Sequence, residues 1–504
     1  MSIVTRHRDR LALLALLAFT FGVRAWKIDQ PIVENYVGRQ IPTAMVARNL
    51  ERGSGFLRPQ LDTGPFPNLF LVEPPIFASI VAGVSRATGW PIGVSGRLVS
   101  ALATTLGAWG LYGLTRRREG VGVALVAIGV FAVLPVMIRY GRAVQPDALM
   151  LGTQLAALRC WDAFVHEDRG RRGWLVGGWF LLATSLAVKV TSAFVFVPIV
   201  LVILGPKRRW AIGLAFLALI PAILWYVHAS TLLAEGEGSR ASLDNRRIWL
   251  DALVPTALVH LETYRPAARY LLIRSFTPIG LVLAILGVFK VRPIDRLWCL
   301  WGASALLALV LLAGKWHHEY YWMVLAPVLS VGIARSLVAL ARVQHGRGWA
   351  VPLGVAFVAM AVLGSSSTWQ TPVEWENIDQ AAEQVRRVVP PDRWLVAPEA
   401  LLYTADRRGC RLETTPRSAQ RAAGEWAGRL ENPDDPLALV AFYQSRGAAF
   451  LADLGSEDDQ DTDPRRALLR RRAREHYRIL IDRPDVFVVE LVPKPGLDGA
   501  SHGD

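Results

Sequence analysis

Residues 31–75 read PIVENYVGRQIPTAMVARNLERGSGFLRPQLDTGPFPNLFLVEPP, a polar stretch set between the first strongly apolar segment and a long series of others. That position makes it a loop against a membrane domain. Within it Glu34, Arg39, Gln40, Thr43, Arg48, Asp62 and Glu73 are interleaved with the run IPTAMVARNL, whose Ile41, Ala44, Met45 and Leu50 recur at roughly helical spacing. The spacing predicts a helix lying along the bilayer surface. Carboxylates and guanidinium groups would then be held at the water–lipid boundary, where a lipid-linked charged substrate presents its headgroup.

Composition places the loop in context. The chain has 504 residues, 52% of them hydrophobic, and a mean hydropathy of +0.30, as expected of a polytopic α-helical membrane protein. Its net charge of +14 is distributed in short clusters between apolar runs: Arg6, Arg8 and Arg10; Arg116–Arg118; Arg169, Arg171 and Arg172; Lys207–Arg209; Lys290, Arg292 and Arg296; Arg342 and Arg347. Basic clusters in alternate loops mark the cytoplasmic side. A nucleic-acid groove needs one contiguous basic face, so nucleic acid is excluded as a partner. Of the three cysteines, Cys160 and Cys299 fall in apolar runs and only Cys410 in the polar tail, which leaves no disulfide framework or zinc cluster. The basic start and LALLALLAFTFGV resemble a signal peptide, but no small-x-small site follows. Arg24, Trp26 and Lys27 read as an interfacial anchor, so the segment is expected to be an uncleaved first span.

Apolar runs near 11–28, 95–115, 120–139, 146–164, 174–190, 191–206, 210–229, 277–291, 297–314, 321–341 and 349–366 give about eleven transmembrane helices. An odd number puts the termini on opposite sides. With the N-terminus cytoplasmic, the loops 29–94, 142–147, 230–276 and 315–320 and the tail lie outside, while the basic clusters stay inside. The segment 76–92, IFASIVAGVSRATGWPI, is expected to lie on or dip into the outer leaflet, because a further span would invert that pattern. Residues 1–368 therefore form a transmembrane domain with outer loop 29–94. Residues 369–504 alternate helical runs (IDQAAEQVRRVV, 437–445) with strand-like WLVAP, GAAFLADL and VFVVELV, which predicts an extracytoplasmic α/β domain. The acidic tract SEDDQDTDP has Pro464 where an EF-hand needs glycine, and reads as a solvated loop.

The outward loops carry ionisable groups near span ends: Glu34, Arg39, Asp62 and Glu73; Arg139, Arg142, Gln145 and Asp147; Lys189; His228, Arg265, Arg269 and Arg274; and Lys315, His317, His318, Glu319, Tyr320 and Tyr321. The inward loops carry mainly arginine and lysine. An anionic phosphate needs fixed cations, and an acceptor hydroxyl needs a base to take its proton. For a sugar delivered as a polyprenyl phosphate ester, Glu34 or Glu73 fits the base, with the arginines and Lys189 as a phosphate clamp. Several of these residues also have a purely structural explanation, though a carboxylate such as Glu34 beside the bilayer has little structural use unless paired. Asp147 after Pro146 fits a helix N-terminus, Lys189 fits snorkelling, and His228 beside Trp225 and Tyr226 fits interfacial packing.

The pattern E-x-Y-x-x-R-Q-x-x-T-A-x-x-A-R-N at Glu34–Asn49, followed by PQLD at 59–62, EPP at 73–75, RAVQPDALM at 142–150, SLAVKVTSAF at 185–194 and HEYYWMVLAP at 318–327, resembles glycosyltransferase family 39-like GT-C enzymes. That group includes protein O-mannosyltransferases and aminoarabinose transferases acting on lipid A. The resemblance implies an inner-membrane enzyme that moves a sugar, with inversion, from a polyprenyl-phosphate donor to a lipid, glycan or protein hydroxyl on the outer face. It implies Glu34 as general base where relatives usually have Asp, and Asp147 as the second acidic residue. Tyr36 stands where similar sequences often have histidine, which removes one ligand from any metal site in this loop. By the same resemblance Glu73 and Asp62 would orient the acceptor or hold a divalent cation. The donor phosphate would fall to Arg39, Arg142, Lys189, Arg265 and His318, with Tyr36, His228, Tyr320 and Tyr321 as further pocket residues. The rival classes are a transporter or lipid flippase, for which neither an internal repeat nor midplane charge is found, and a non-catalytic envelope scaffold.

Overall fold

The computed structural model describes residues 3–34, 37–167, 170–204, 209–244, 256–289, 291, 293–343, 346–455 and 464–493. The chain divides into two compact units: Met1–Asp29, Val72–Thr231 and Asp244–Gln370 form the first, and Gln30–Leu71, Leu232–Leu243 and Thr371–Asp504 the second. Thus the expected outer loop is split at Leu71, and its first part clusters with the C-terminal residues.

The first unit is helical. Among the described residues four helices are long and apolar enough to cross a membrane, or five if Leu261–Ser275 and Pro278–Phe289, bent by 88°, count as one span. Length and apolarity therefore do not reproduce the expected number of about eleven. Two physical reasons account for the difference. Several apolar helices are short, namely Ile76–Thr88, Val121–Val133, Val190–Leu204 and Arg296–Leu311. Others of spanning length carry charge, such as Ile3–Ala25 with Arg24 and Asp147–His166 with Asp147, Arg159 and Asp162. Large apolar side chains such as Leu224, Val227, Val282, Leu307, Val355 and Leu363 are more than half exposed. A surface of that kind belongs against lipid.

Expected spans change at two places in this unit, and Arg24 takes a different role at the first. The run 120–139 is not one helix: it breaks between Val121–Val133 and Pro135–Tyr140, because Pro135 cannot continue the ladder. Arg24 is no interfacial anchor. It is fully buried, and its guanidinium donates to the carbonyls of Thr20 (3.0 Å), Ala132 (3.0 Å) and Met137 (3.1 Å), two of them flanking the break. The second change lies at 190–204, where a 3-10 stretch, a single α turn and a π stretch replace a regular span around Pro198.

Helices Ile92–Glu119 and Asp147–His166 pack through Gly107, Gly110 and Gly152, where the backbones touch; a Cβ on Gly152 would overlap the Ala103 carbonyl. Small residues permit this approach inside a bilayer. Gly152→Val should lower stability by about 1–3 kcal/mol through overpacking, read as a reduced thermal midpoint in detergent. Arg335 joins three helices, pairing with Glu119 at 2.6 Å and donating to the Gly287 carbonyl at 2.8 Å, all buried.

The second unit holds a five-stranded sheet: β1 (Trp394–Ala397), β2 (Gly409–Arg411), β3 (Ala448–Leu454), β4 (Tyr477–Asp482) and β5 (Val486–Pro493), in the order β2-β1-β3-β5-β4. β1 runs parallel to β2 and β3, while β5 is antiparallel to β3 and β4. Helix Ile378–Val388 buries Ile378, Ala381, Ala382 and Val385, a stripe of helical period. The first loop extends this sheet at its β2 edge: Gly409 N–H donates to Asp62 O (3.0 Å), and Gly64 N–H to Gly409 O (2.8 Å). Phe66 lies 5.2 Å from the Trp394 ring, and Arg408 sits over Phe66 at 4.3 Å.

The helix expected along the bilayer surface forms at Val37–Glu51, but its surroundings differ. Arg39, Gln40, Thr43 and Arg48 are buried along with Ile41, Ala44, Met45 and Ala47, so it is enclosed on its polar side too. The acidic tract and its Asp459, Asp461 and Asp463 lie outside the described residues, up to Pro464.

Candidate functional site

In the first unit the second, third and fifth outward segments meet. Asp147 opens helix Asp147–His166 directly after Pro146, so its carboxylate sits where helix N–H groups favour negative charge. Lys189 follows helix Arg171–Val188 in an extended conformation, which turns its side chain out of the helical path. Its ammonium lies 2.5 Å from Asp147 Oδ1 and 4.5 Å from the ring centres of both Tyr320 and Tyr321. Asp147 and Lys189 are buried, and among the described residues Asp147 Oδ2 has no hydrogen-bond partner. Gln145, two residues earlier, is buried with neither side-chain amide atom bonded. Groups of this kind, held dry beside a cation, are poised for a polar ligand.

The aromatic wall continues outward. His318 stacks on Tyr320 at 5.4 Å, and Tyr140 meets the Tyr320 edge at 5.8 Å. The Tyr140 hydroxyl donates to Glu319 Oε2 at 3.2 Å, and Arg274 is ion-paired with Glu319 Oε1. Arg142 is fully buried and donates to the Lys27 carbonyl at 2.7 Å. The fold thus brings together Asp147, Lys189, His318, Tyr320 and Tyr321 from five sequence-predicted positions. Others stand apart. Arg265 is exposed on Leu261–Arg269, and Arg274 rather than Arg265 turns inward from this segment. His228 packs on Trp225 at 5.9 Å, and Glu73 is half-buried. The Glu319–Tyr140–Arg274 set was not singled out by sequence reasoning; its signal was an acid and an arginine at two separate span ends.

In the second unit Glu34 is fully buried, and its backbone carbonyl accepts from Gln40 at 2.7 Å. Arg39 lies over Phe70 at 5.1 Å. Asp62 is tied into its own loop: Oδ2 accepts from Arg48 at 2.6 Å and Oδ1 from Asn49 at 3.0 Å. Arg48 also donates to the Tyr403 carbonyl at 2.6 Å and pairs with Asp406 at 3.2 Å. Burial opposes ionisation of Asp406, yet the Arg52 hydrogen bond and the Arg48 and Arg52 charges hold its carboxyl below the usual range. Tyr36 lies outside the described residues. Among the described residues no three His, Cys, Asp or Glu side chains gather at metal-binding distance.

Glu399, in the same unit, is pushed up to about 7 by burial, reinforced by Glu413 and Glu425 and opposed by Arg411. Because the folded value exceeds the ordinary one near 4.5, the folded protein binds the extra proton between the two. Stability should fall as pH rises from about 4.5 to about 7. Glu399→Gln should flatten that slope, measured by thermal unfolding of the full-length protein.

Residues 72–230 match the family model described as dolichyl-phosphate-mannose-protein mannosyltransferase. No curated protein sequence matches the chain at a significant level. Among solved structures it is similar to ArnT from Cupriavidus metallidurans bound to undecaprenyl phosphate, at 13% identity and a TM-score of 0.59, covering 95% of this chain and 98% of that one. It is also similar to the Archaeoglobus fulgidus oligosaccharyltransferase in complex with zinc and sulfate (12%, TM-score 0.58, 95% and 72%). A third likeness is to arabinofuranosyltransferase AftD from Mycobacteria (16%, TM-score 0.56, 98% and 40%). With its matched segment 72–230 and a fold shared with ArnT, the archaeal oligosaccharyltransferase and AftD, this chain is a multi-pass membrane protein of the GT-C glycosyltransferase fold.

Proposed function

We propose that the protein is a glycosyltransferase that moves a sugar from a polyprenyl-phosphate donor to an acceptor hydroxyl. The observation that carries this reading is the buried Asp147–Lys189 pair under Tyr320 and Tyr321, with Asp147 Oδ2 unbonded. An ammonium with one donor on Asp147 has two left, and a phosphate oxygen satisfies them. Support for a polyprenyl phosphate comes from the undecaprenyl phosphate on ArnT and the dolichol-phosphate on the archaeal oligosaccharyltransferase.

In the reaction, the acceptor oxygen forms a bond to the anomeric carbon as the bond from that carbon to phosphate breaks, with inversion. A carboxylate takes the hydroxyl proton, and the only support for Glu34 in that role is the resemblance of the first loop. Lys189 and Arg142 stabilise the charge growing on the departing polyprenyl phosphate. Asp147 holds the Lys189 ammonium in place and offers Oδ2 to a sugar or acceptor hydroxyl. The acceptor acts on the extracytoplasmic side of an inner membrane, with the N-terminus cytoplasmic.

The test is transfer of label from a radiolabelled polyprenyl-phosphate sugar pool to lipid, glycan and peptide acceptors by the purified protein in membranes. Label covalently attached to one acceptor class is the expected result. Movement of the intact donor across the bilayer without transfer would establish the flippase class instead.

A further inference from the structure

We propose that a basic cavity at the end of the helices remote from Asp147 binds the headgroup of an anionic phospholipid. The cavity, about 510 Å³ in volume, lies among Ile3–Ala25, Ile92–Glu119 and Asp147–His166, and Arg10, Arg116, Arg117, Arg159, Trp109 and Tyr112 line it. Its size is that of ordinary small-ligand pockets. Asp147 begins the helix that ends beside Glu167 in the cavity wall, and twenty residues of helix separate the two by about 30 Å. The cavity is therefore distinct from the Asp147–Lys189 site and independent of the transfer reaction proposed above.

Charge and packing point to an anion. Among the described residues Glu167 is the single carboxylate in the wall, and it is committed to Arg117 at 2.9 Å and Arg159 at 2.8 Å. Arg117 is further held by buried Asp162 at 2.7 Å. Gly113 lets Arg159 cross its helix, since a Cβ there would overlap the Arg159 side chain. Arg10 and Arg116 remain: among the described residues neither has a carboxylate partner, and Arg116 lies 6.0 Å from the Tyr112 ring centre. Arg116 is also hydrogen-bonded to Tyr112, and Asp9 lies near enough to act on that ring, but two guanidinium groups with no ion pair of their own among the described residues suit a phosphate in one cavity.

The lipid source is argued from the wall opposite. Leu13 lines the cavity, and Leu11 and Leu14 beside it on the same helix are 53% and 62% exposed. Trp109 and Tyr112 have the amphipathic rings that settle at headgroup depth. A phosphate seated between Arg10 and Arg116 would thus have its acyl chains run along an apolar helix face, an arrangement that no free anion needs.

The experiment uses the full-length protein in nanodiscs of phosphatidylcholine, with or without a minor fraction of phosphatidylglycerol. Native mass spectrometry counts retained phosphatidylglycerol, and thermal unfolding reads linkage. Wild type should retain the anionic lipid and gain in midpoint. Each of Arg10→Gln and Arg116→Gln should weaken retention about fivefold, and the pair about thirtyfold, whereas the Arg10→Lys/Arg116→Lys protein should keep most of it. The single variants keep the test open should the double Gln protein fail to fold. Equal retention by wild type and the Gln variants overturns the site. A midpoint shift given by inorganic phosphate in phosphatidylcholine discs, with none from phosphatidylglycerol, overturns the lipid as its ligand.

Discussion

Lys189→Met should destabilise the protein by about 3–5 kcal/mol, because it leaves the Asp147 carboxylate buried without its cation. Asp147→Leu should cost a similar amount by stranding the ammonium. The double variant Asp147→Leu/Lys189→Met, with both charges replaced by apolar groups of similar volume, should return close to wild-type stability. Transfer should behave otherwise. If the pair holds a phosphate, all three variants lose it, by about 10²–10³-fold or more per donor removed. Thermal unfolding in detergent alongside the transfer assay separates the two roles: a double variant that is stable and still active would reduce the pair to a packing device.

Glu34→Gln should lower transfer by about 10²–10⁴-fold, the usual range for loss of a general base. Gln has nearly the same volume and keeps the Gln40 side-chain bond to the residue 34 carbonyl, since residue 34 contributes only its backbone to that bond. A folded, inactive Gln variant therefore isolates the carboxylate. Glu34→Asp should retain part of the activity, because the acid is kept and its reach shortened by one methylene. The measurement is kcat against pH for both variants. An unchanged rate in Glu34→Gln would transfer the base role to another carboxylate.

Much of the second unit was legible because its signals are local. The IDQAAEQVRRVV stripe became helix Ile378–Val388, and WLVAP, GAAFLADL and VFVVELV became β1, β3 and β5. Strands β2 and β4 were missed; β2 is three residues long and contains Gly409, whose lack of a side chain admits the Leu395 backbone. No periodicity can announce so short an element. In the first unit, apolar runs were visible but their interruptions were not. The Pro135 break is sealed by Arg24 from more than a hundred residues away, and such long-range satisfaction leaves no mark in hydropathy. The same holds for the candidate site. Individual residues such as Asp147, Lys189 and Tyr320 were recognisable by type and position, whereas the Arg274–Glu319–Tyr140 chain depends on three distant segments meeting. The Arg48–Asp62 bond was not legible, because a carboxylate and an arginine fourteen residues apart look equally like a ligand pair or a clamp.

The attachment of residues 60–69 to the edge of β2 also sets an order of events during biogenesis. Thr63 leaves the ribosome long before Gly409 is translated, an interval of roughly 20–70 s at about 5–20 residues per second. Throughout it, the backbone groups of Asp62 and Gly64 lack their strand partner, and Arg48 lacks Tyr403 and Asp406. The N-terminal loop therefore reaches its final form only after the last third of the chain is made. A nascent chain stalled or cut before residue 371 would expose an unfinished segment near its N-terminus, which makes the C-terminal sheet a completion check on the whole polypeptide.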